Sequence, residues 1–354
     1  MRGLVLQDVG EIAYREDLAE PRIEAPTDAL VAVRAAGLCG SDLHPYRGAE
    51  AAATGVIQGH ELVGDVIEVG DEVRGFARGD RVLAAFTTSC LDCPPCRAGL
   101  TGRCRHGQLF GWGPPGDDGR HTLQGAQAER VRVPLADGTL LAMPAALGDT
   151  AGVLLADNLP TGWEAVRRTG PQPGAALVVV GLGSVGLSAV RAGLALGATP
   201  VIGVDPVVGR RRRAIELGAH EAVPPDDAHG AVQVHTRERQ APAVVEAAGS
   251  MSGQRLAFDL TAPGGTLSII AVQTAERFAF DPVAAYDRTL TVATGRASVR
   301  ATLTDILARI DAGELTVPVA QLVTHDEVAL ADGPAFYRRF AAHEDGLVKA
   351  VFRP

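Results

Sequence analysis

The chain has 354 residues, enough for two domains with cores of their own. Its 46% hydrophobic and 21% charged residues are the make-up of a globular enzyme, and no run of eighteen apolar residues predicts a membrane span. A net charge of −9 argues against a nucleic-acid partner, which needs a basic surface. The N-terminus carries early acids and no long apolar core, so it does not read as a signal peptide and a cytoplasmic protein is expected.

Residues 1 to about 150 run as short alternating segments, "ALVAVRAAGLCG", "LVGDVIEVG", "DRVLAAF" and "QAERVRVP", punctuated by Gly, Pro and Asp. That pattern predicts a mostly β domain with many turns. Cys39 stands alone in "AGLCGSDLH", and "GHELVG" follows with His60 and Glu61. A thiol and an imidazole together are borderline-soft ligands suited to zinc. Taken singly, Cys39 also reads as a small buried hydrophobe and His60 as a hydrogen-bonded core histidine.

Cys90, Cys93, Cys96 and Cys104 follow in "SCLDCPPCRAGLTGRC", spaced C-x2-C-x2-C-x7-C, and hold four of the five cysteines of the chain. In a reducing compartment a disulfide framework explains them poorly. Four thiolates at this spacing close a tetrahedral zinc site with no open position, hence a structural one. An iron–sulfur cluster is the rival reading, and the chain shows no other redox signal. The insert "GWGPPGDDGRHTLQGAQ" is a candidate pocket rim, with Leu43, Trp112, Leu159 and Val272 as candidate lining residues. Asp157, in "LADNLPTGW", falls at the expected domain boundary and reads equally as a third metal ligand or as a helix N-cap.

From about residue 160 the texture changes. "TGWEAVRRTG" predicts a short helix, and "PGAALVVVGLGSVGLSAVRAGLALGATPVIGVD" predicts strand, glycine turn, helix, strand. Gly181, Gly183 and Gly186 form G-x-G-x-x-G between strand and helix, the place where a dinucleotide pyrophosphate sits. Ser184 and Val185 open that helix, whose free N–H groups and dipole favour phosphate. Asp205 ends the next strand about twenty residues on, where an acid bonds ribose hydroxyls and repels a 2′-phosphate. NAD is therefore expected and NADP is less favoured. Arg210, first of the run Arg210 to Arg213, lies just beyond and reads either as a 2′-phosphate partner or as part of a solvated helix face. Further strands are predicted at "APAVVEAAG" and "GGTLSIIAV", a helix at "ATLTDILARIDAGEL" and a final strand in "EDGLVKAVFRP".

Taken together, "AGLCGSDLH", the ungapped "GHE-x2-G-x5-G-x2-V" from Gly59 to Val73, "GDRV", the cysteine lobe, "GLGSVG" and "LVKAVFRP" resemble the zinc-dependent alcohol dehydrogenases of the medium-chain dehydrogenase/reductase superfamily. "DNLPTGW" looks like the branch of that family with Asp as third zinc ligand, which includes the glutathione-independent formaldehyde dehydrogenases and dismutases.

The resemblance implies an α/β protein: a Rossmann doubly wound parallel sheet over residues 157–296, and a mostly β GroES-like catalytic domain over residues 1–156 completed by residues 297–354. It implies two zinc ions per chain, a catalytic one on Cys39, His60 and Asp157 and a structural one on the four lobe cysteines. It makes Ser41 the acceptor of the alcohol proton, His44 the outer end of that relay, Asp42 the acid that orients His60, and Glu61 an acid able to enter the metal's coordination sphere. Thr161 is placed facing the cofactor and Lys349 against its pyrophosphate, the alternative for Lys349 being a surface lysine. The expected reaction is hydride transfer between an alcohol and NAD. Polyol or sugar dehydrogenases and formaldehyde-handling enzymes are alternatives within the superfamily, and a non-enzymatic cofactor-binding protein is the alternative from another class. A homodimer or homotetramer is expected, with "TLSIIAV" at the pairing edge.

Overall fold

The structure is a computed structural model and describes residues 1–50, 54–112, 123–237 and 240–354. Residues 113–122, the centre of the "GWGPPGDDGRHTLQGAQ" insert, lie outside the described residues, so its expected rim position does too. Among the described residues the strands in chain order are β1 (Gly3–Asp8), β2 (Glu11–Arg15), β3 (Ala29–Leu38), β4 (Leu62–Val69), β5 (Arg81–Ala84), β6 (Arg130–Val133), β7 (Leu140–Ala142), β8 (Leu177–Val180), β9 (Val201–Val204), β10 (Glu221–Val223), β11 (Ala241–Glu246), β12 (Thr261–Ile269), β13 (Thr291–Thr294), β14 (His325–Ala329) and β15 (Ala350–Arg353). No helix among them is long and apolar enough to cross a membrane.

The contacts divide the chain into two units: Met1–Asp157 with Ser298–Asp305 and Val323–Pro354, and Asn158–Ala297 with Ile306–Leu322. The C-terminal segment is thus shared between the units, where the sequence reading assigned all of it to the first. Residues 306–322 go with the second unit because the helix Val319–Leu322 packs on the helices Ser184–Ala195 and Val208–Glu216, where Arg213 Nη1 donates to the carbonyl of Gln321 at 2.9 Å.

The first unit is built on a sheet of order β14-β15-β3-β4-β5-β7, with β6 also pairing β3. All of its pairings are antiparallel except β14 with β15. Alternation along β3 and β4 sends Val31, Val33, Leu62 and Val66 into one core with Val82, Phe110, Val131 and Leu140. The helix Asp149–Ala156 lies on β3, β4 and β5. It sits so close that a Cβ on Gly152 would stand 2.5 Å from Val63 Cγ2.

The second unit is a six-stranded parallel sheet of order β10-β9-β8-β11-β12-β13, the doubly wound order of the Rossmann fold. β8 and β9 are buried along their whole length, as their unbroken apolar sequences require of strands covered on both faces. "TLSIIAV" does not lie at the edge as expected: β12 is paired on both sides, by β11 and β13, and β13 holds the outer position. Strand order follows from crossover connections, which hydrophobic pattern alone does not encode.

β11 ends in Glu246, fully buried, whose Oε1 accepts from the amides of Ala248 at 2.9 Å and Gly249 at 2.7 Å. Burial pushes this carboxyl up to about 7, against the two amides and Gln273, which favour its charge. The folded chain therefore keeps a proton that the unfolded chain releases from its ordinary value of 4.5 upward, and stability falls as pH climbs between those values. Between about pH 5 and about pH 8 this group should cost the native state about 2–3 kcal/mol. Glu246→Gln should flatten that part of the curve in denaturant titrations; equal slopes for both proteins would assign the pH dependence elsewhere.

Candidate active site and metal centres

Strand register gathers the candidate ligands of the first unit. Cys39 follows directly on β3, His60 and Glu61 lead directly into β4, and Ala36 of β3 pairs with Leu62 of β4. On the other side of β3, Leu38 pairs with Ala350 of β15, so Lys349 reaches the same end of the sheet. Asp157 comes in from above, at the break after the helix Asp149–Ala156.

Its Oδ2 lies 3.4 Å from Cys39 Sγ and 3.6 Å from His60 Nε2, which makes it more than a helix cap. Ligand atoms of Cys39, His60, Glu61 and Asp157 all stand within 4.8 Å of one another, and all four residues are buried. In a tetrahedral zinc site with bonds of about 2.0–2.3 Å, neighbouring ligand atoms stand about 3.3–3.8 Å apart. The thiol, imidazole and carboxylate thus fit a zinc ion in both chemistry and spacing.

Without a cation these groups contend for protons. Burial pushes the Cys39 thiol up, and the nearby Asp157 and Glu61 push it further. Burial opposes a charge on His60, but Asp42 and Asp157 outweigh it and hold the imidazole well above the ordinary histidine value. A divalent ion replaces such protons, which is how metal binding and protonation are linked.

Asp42 bridges the two strand ends. Its Oδ2 accepts from the Cys39 amide at 2.9 Å, and its Oδ1 lies 2.9 Å from His60 Nδ1, which makes no well-aligned hydrogen bond elsewhere. That contact keeps the Nδ1 proton on the Asp42 side and leaves Nε2 for a metal. Ser41 Oγ stands 3.2 Å from the same Nε2. His44, on the short turn Leu43–Tyr46, is half-buried with its ring 6.3 Å from that of Trp112. Burial lowers its pKa and Arg47 adds to this. Among the described residues no hydrogen bond joins Ser41 to His44. Phe86 closes one side, edge-on to the His60 ring at 6.0 Å. Leu43, a candidate lining residue, belongs instead to the core around Leu38 and Tyr337, and Leu159 is fully buried in the second unit.

Lys349 corrects an expectation. It is neither a surface lysine nor open to a cofactor phosphate: its side chain has 0% exposure and its Nζ is paired with Glu61 Oε2. Burial alone would pull its pKa down, but Glu61, with Cys39 and Asp157 behind it, holds it up. Gly37 makes the room, since a Cβ there would stand 1.6 Å from Glu61 Oε2.

The lobe is a second cluster. Cys90, Cys93, Cys96 and Cys104 present their sulfurs within 4.8 Å of one another. Cys104 Sγ stands 3.5 Å from Cys90 Sγ and 3.9 Å from Cys93 Sγ, too far for a disulfide and close to the edges of a zinc tetrahedron with bonds of about 2.3 Å. Backbone amides point at these sulfurs, from Cys93 to Cys90 at 3.3 Å and from Arg105 to Cys93 at 3.4 Å, the environment that favours thiolate. Four sulfurs complete a tetrahedron and leave no open position for a substrate here.

In the second unit the glycine turn has the shape that a pyrophosphate needs. Gly181 has φ +91°, and a Cβ there would meet the amide of Ala248 at 2.5 Å; one on Gly186 would meet the Gly181 carbonyl at 1.8 Å. Gly183 differs, because a Cβ there would meet no protein atom within 4 Å. Its side-chain position faces open space at the N-cap of the helix Ser184–Ala195, which has no side-chain cap. Ser184 is buried and Val185 half-buried in the first turn.

Asp205, at the end of β9, accepts from the amides of Leu182 and Val207, each at 2.8 Å. Arg210 turns back toward it at 3.6 Å. Arg211 donates to the Asp205 carbonyl at 2.7 Å, and Arg213 is tied to Gln321, so the basic run is not one free patch. Thr161 is buried in the first turns of the helix Asn158–Arg168, where Gly162 lets the helix Ser184–Ala195 approach closely.

Residues 25–145 match the family model described as alcohol dehydrogenase GroES-like domain, and residues 184–311 match that described as zinc-binding dehydrogenase. A probable zinc-binding alcohol dehydrogenase of Mycobacterium tuberculosis is 35% identical over 318 residues, covering 90% of this chain and 80% of that protein. The chain belongs to the zinc-dependent alcohol dehydrogenases. Zinc-type alcohol dehydrogenase B of Aspergillus flavus is 38% identical over 309 residues, covering 85% of this chain and 70% of that one. The solved structure of alcohol dehydrogenase TADH from Thermus sp. ATN1 matches with a TM-score of 0.90 at 32% identity, over 100% of this chain and 99% of that chain. This member of the family is a zinc-dependent oxidoreductase that uses a nicotinamide cofactor. The polyol and formaldehyde alternatives are not favoured over the alcohol reading.

Sequence reasoning missed two fully buried residues at this dehydrogenase's metal centre: Gln127, whose Nε2 lies 3.4 Å from Asp42 Oδ2, and Tyr337, which donates to Gln127. The polar Gln in the otherwise alternating run "QAERVRVP" is the one hint that a buried group there needs partners.

The two donor clusters predict two zinc ions in the wild-type chain. Cys39→Ser and His60→Ala should each reduce metal analysis to about one ion, with the lobe still loaded. Full zinc content in either variant would contradict the assignment. Asp157→Asn should weaken zinc at this site about 10-fold or more, read by chelator competition, while cofactor binding persists.

Proposed function

We propose that the chain catalyses the reversible oxidation of an alcohol to the corresponding aldehyde or ketone with NAD as hydride acceptor. The observation that carries this reading is the buried Cys39–His60–Asp157 set with the Ser41 hydroxyl 3.2 Å from His60 Nε2. Cys39, His60 and Asp157 would hold a zinc ion, which would supply Lewis acidity toward the substrate oxygen.

The chain's own groups do the rest. Ser41 Oγ would accept the hydroxyl proton as it gives up its own, and His44, kept neutral near pH 7 by burial and Arg47, would be the outer end of the relay, with the cofactor's ribose hydroxyls bridging the two. Asp42 holds the His60 ring by its Nδ1 proton. Phe86 and the buried surroundings limit water at the reacting carbon. A nicotinamide bound at the glycine turn of Gly181, Gly183 and Gly186 would supply the hydride acceptor for the alcohol carbon, with one proton released per turnover.

The glycine turn and the helix Ser184–Ala195 would hold the pyrophosphate of the cofactor, with Ser184 and Val185 offering amides. Asp205 would bond the ribose and disfavour a 2′-phosphate, with Arg210 beside it. Thr161 and Lys349 have no support as cofactor contacts in their buried surroundings.

We place the protein in the cytoplasm and assign it a homo-oligomer. The exposed outer strand β13, with Val283 and Tyr286 of the neighbouring helix Pro282–Asp287 64% and 84% exposed, supports association through this edge. Light scattering that returned only monomer would contradict that.

A panel of alcohols tested with NAD and NADP in parallel should give NADH formation and a primary isotope effect with the carbon-deuterated alcohol. No turnover from a chain holding both zinc ions would overturn the reading. Asp205→Ala should shift kcat/KM toward NADP relative to NAD by about 10-fold, the scale of removing one nearby like charge; an unchanged ratio would remove Asp205 from cofactor choice.

A further inference from the structure

We infer that Gln127 and Tyr337 are positioning residues for the catalytic metal, acting through Asp42. The inference rests on the reading of Cys39, His60 and Asp157 as a metal site.

Tyr337, in the helix Gly333–Ala341, and Gln127, just before β6, have no exposed surface. The tyrosine hydroxyl donates to Gln127 Oε1 at 2.8 Å. The Gly37 carbonyl, which can only accept, fixes which way the amide faces and leaves Oε1 for the phenol proton. Gln127 Nε2 is turned to the Gly37 carbonyl at 2.9 Å and to Asp42 Oδ2 at 3.4 Å. Asp42 in turn holds the Cys39 amide and His60 Nδ1, each at 2.9 Å. One buried polar chain therefore runs from a C-terminal helix to two metal ligands.

Gln127 also meets the ligand strands directly. Gly37 lies two residues before Cys39. Gly59, next to His60, has φ +90°, and a Cβ there would stand 2.4 Å from Gln127 Cγ. The side chain thus fills the space beside one ligand, grips the strand that carries the other, and gives the acid between them a donor. Groups that support a metal-binding histidine in this way set the orientation and basicity of the ligand. A buried amide with only a packing duty needs no donor aimed at Asp42.

The test uses the full chain with Gln127→Met, which keeps an unbranched side chain of similar length without the amide, and Tyr337→Phe, which removes one hydroxyl. Zinc affinity is read by competition with a chromophoric chelator, the lobe site serving as internal control, and the visible spectrum is recorded with cobalt at the catalytic site. Gln127→Met should weaken catalytic-site zinc about 10-fold, Tyr337→Phe should weaken it by less, and the cobalt bands should shift while the lobe is unchanged. Wild-type zinc affinity and cobalt bands in both variants, whatever their thermal stability, would leave these residues a packing role only and overturn the inference. Uptake of a single zinc by the wild-type chain would instead bring down the metal-site reading beneath it.

Discussion

The pairing of β3 with β4 on one side and β15 on the other is the constraint on which the metal centre depends. Ala36 opposite Leu62 and Leu38 opposite Ala350 bring three strand ends together, with Cys39, His60, Glu61 and Lys349 all within one or two residues of a paired position. A slip of one residue in either pairing would turn these side chains to the other face of the sheet. The apolar residues of β3 and β4 prevent that slip because they must stay in the core with Val82 and Val131. Hydrophobic packing along the strands thus holds the polar chemistry at their ends.

Burying so many charges demands that each be matched. Glu61 is matched by Lys349, which is why the only lysine of the chain is found in the interior. Asp42 is matched by the Cys39 amide, His60 and Gln127. Cys39 and Asp157 stand close enough to share an ion, and as thiolate and carboxylate they would carry the two negative charges that one divalent cation neutralises. The lobe solves a different problem. Backbone amides point at the sulfurs of Cys90, Cys93 and Cys104, and a cation held by all four thiolates has no vacant corner for a substrate.

Much of this was legible in the sequence because the signals are local. The lobe cysteines lie within one loop, the three glycines within one turn, and the alternating runs of the first half became β3, β4, β5 and β6. Cys39, His60 and Asp157 were readable through motifs, and the structure places them together. What escaped depends on distant partners. Lys349 meets Glu61 across 288 positions and Tyr337 meets Gln127 across 210, and neither residue type announces such a partner. Strand order was hidden for the same reason: "TLSIIAV" is as apolar as an interface, but an interior strand of a parallel sheet needs the same composition.

On this reading a zinc ion shared by Cys39, His60 and Asp157 is distinct from the one in the lobe. X-ray absorption at the zinc edge of the purified wild-type chain tests it most directly. The account predicts an average over two environments, one with four sulfurs at about 2.3 Å and one with a single sulfur and nitrogen or oxygen neighbours at about 2.0–2.2 Å. A spectrum fitted by four sulfurs alone, with one zinc per chain, would contradict it.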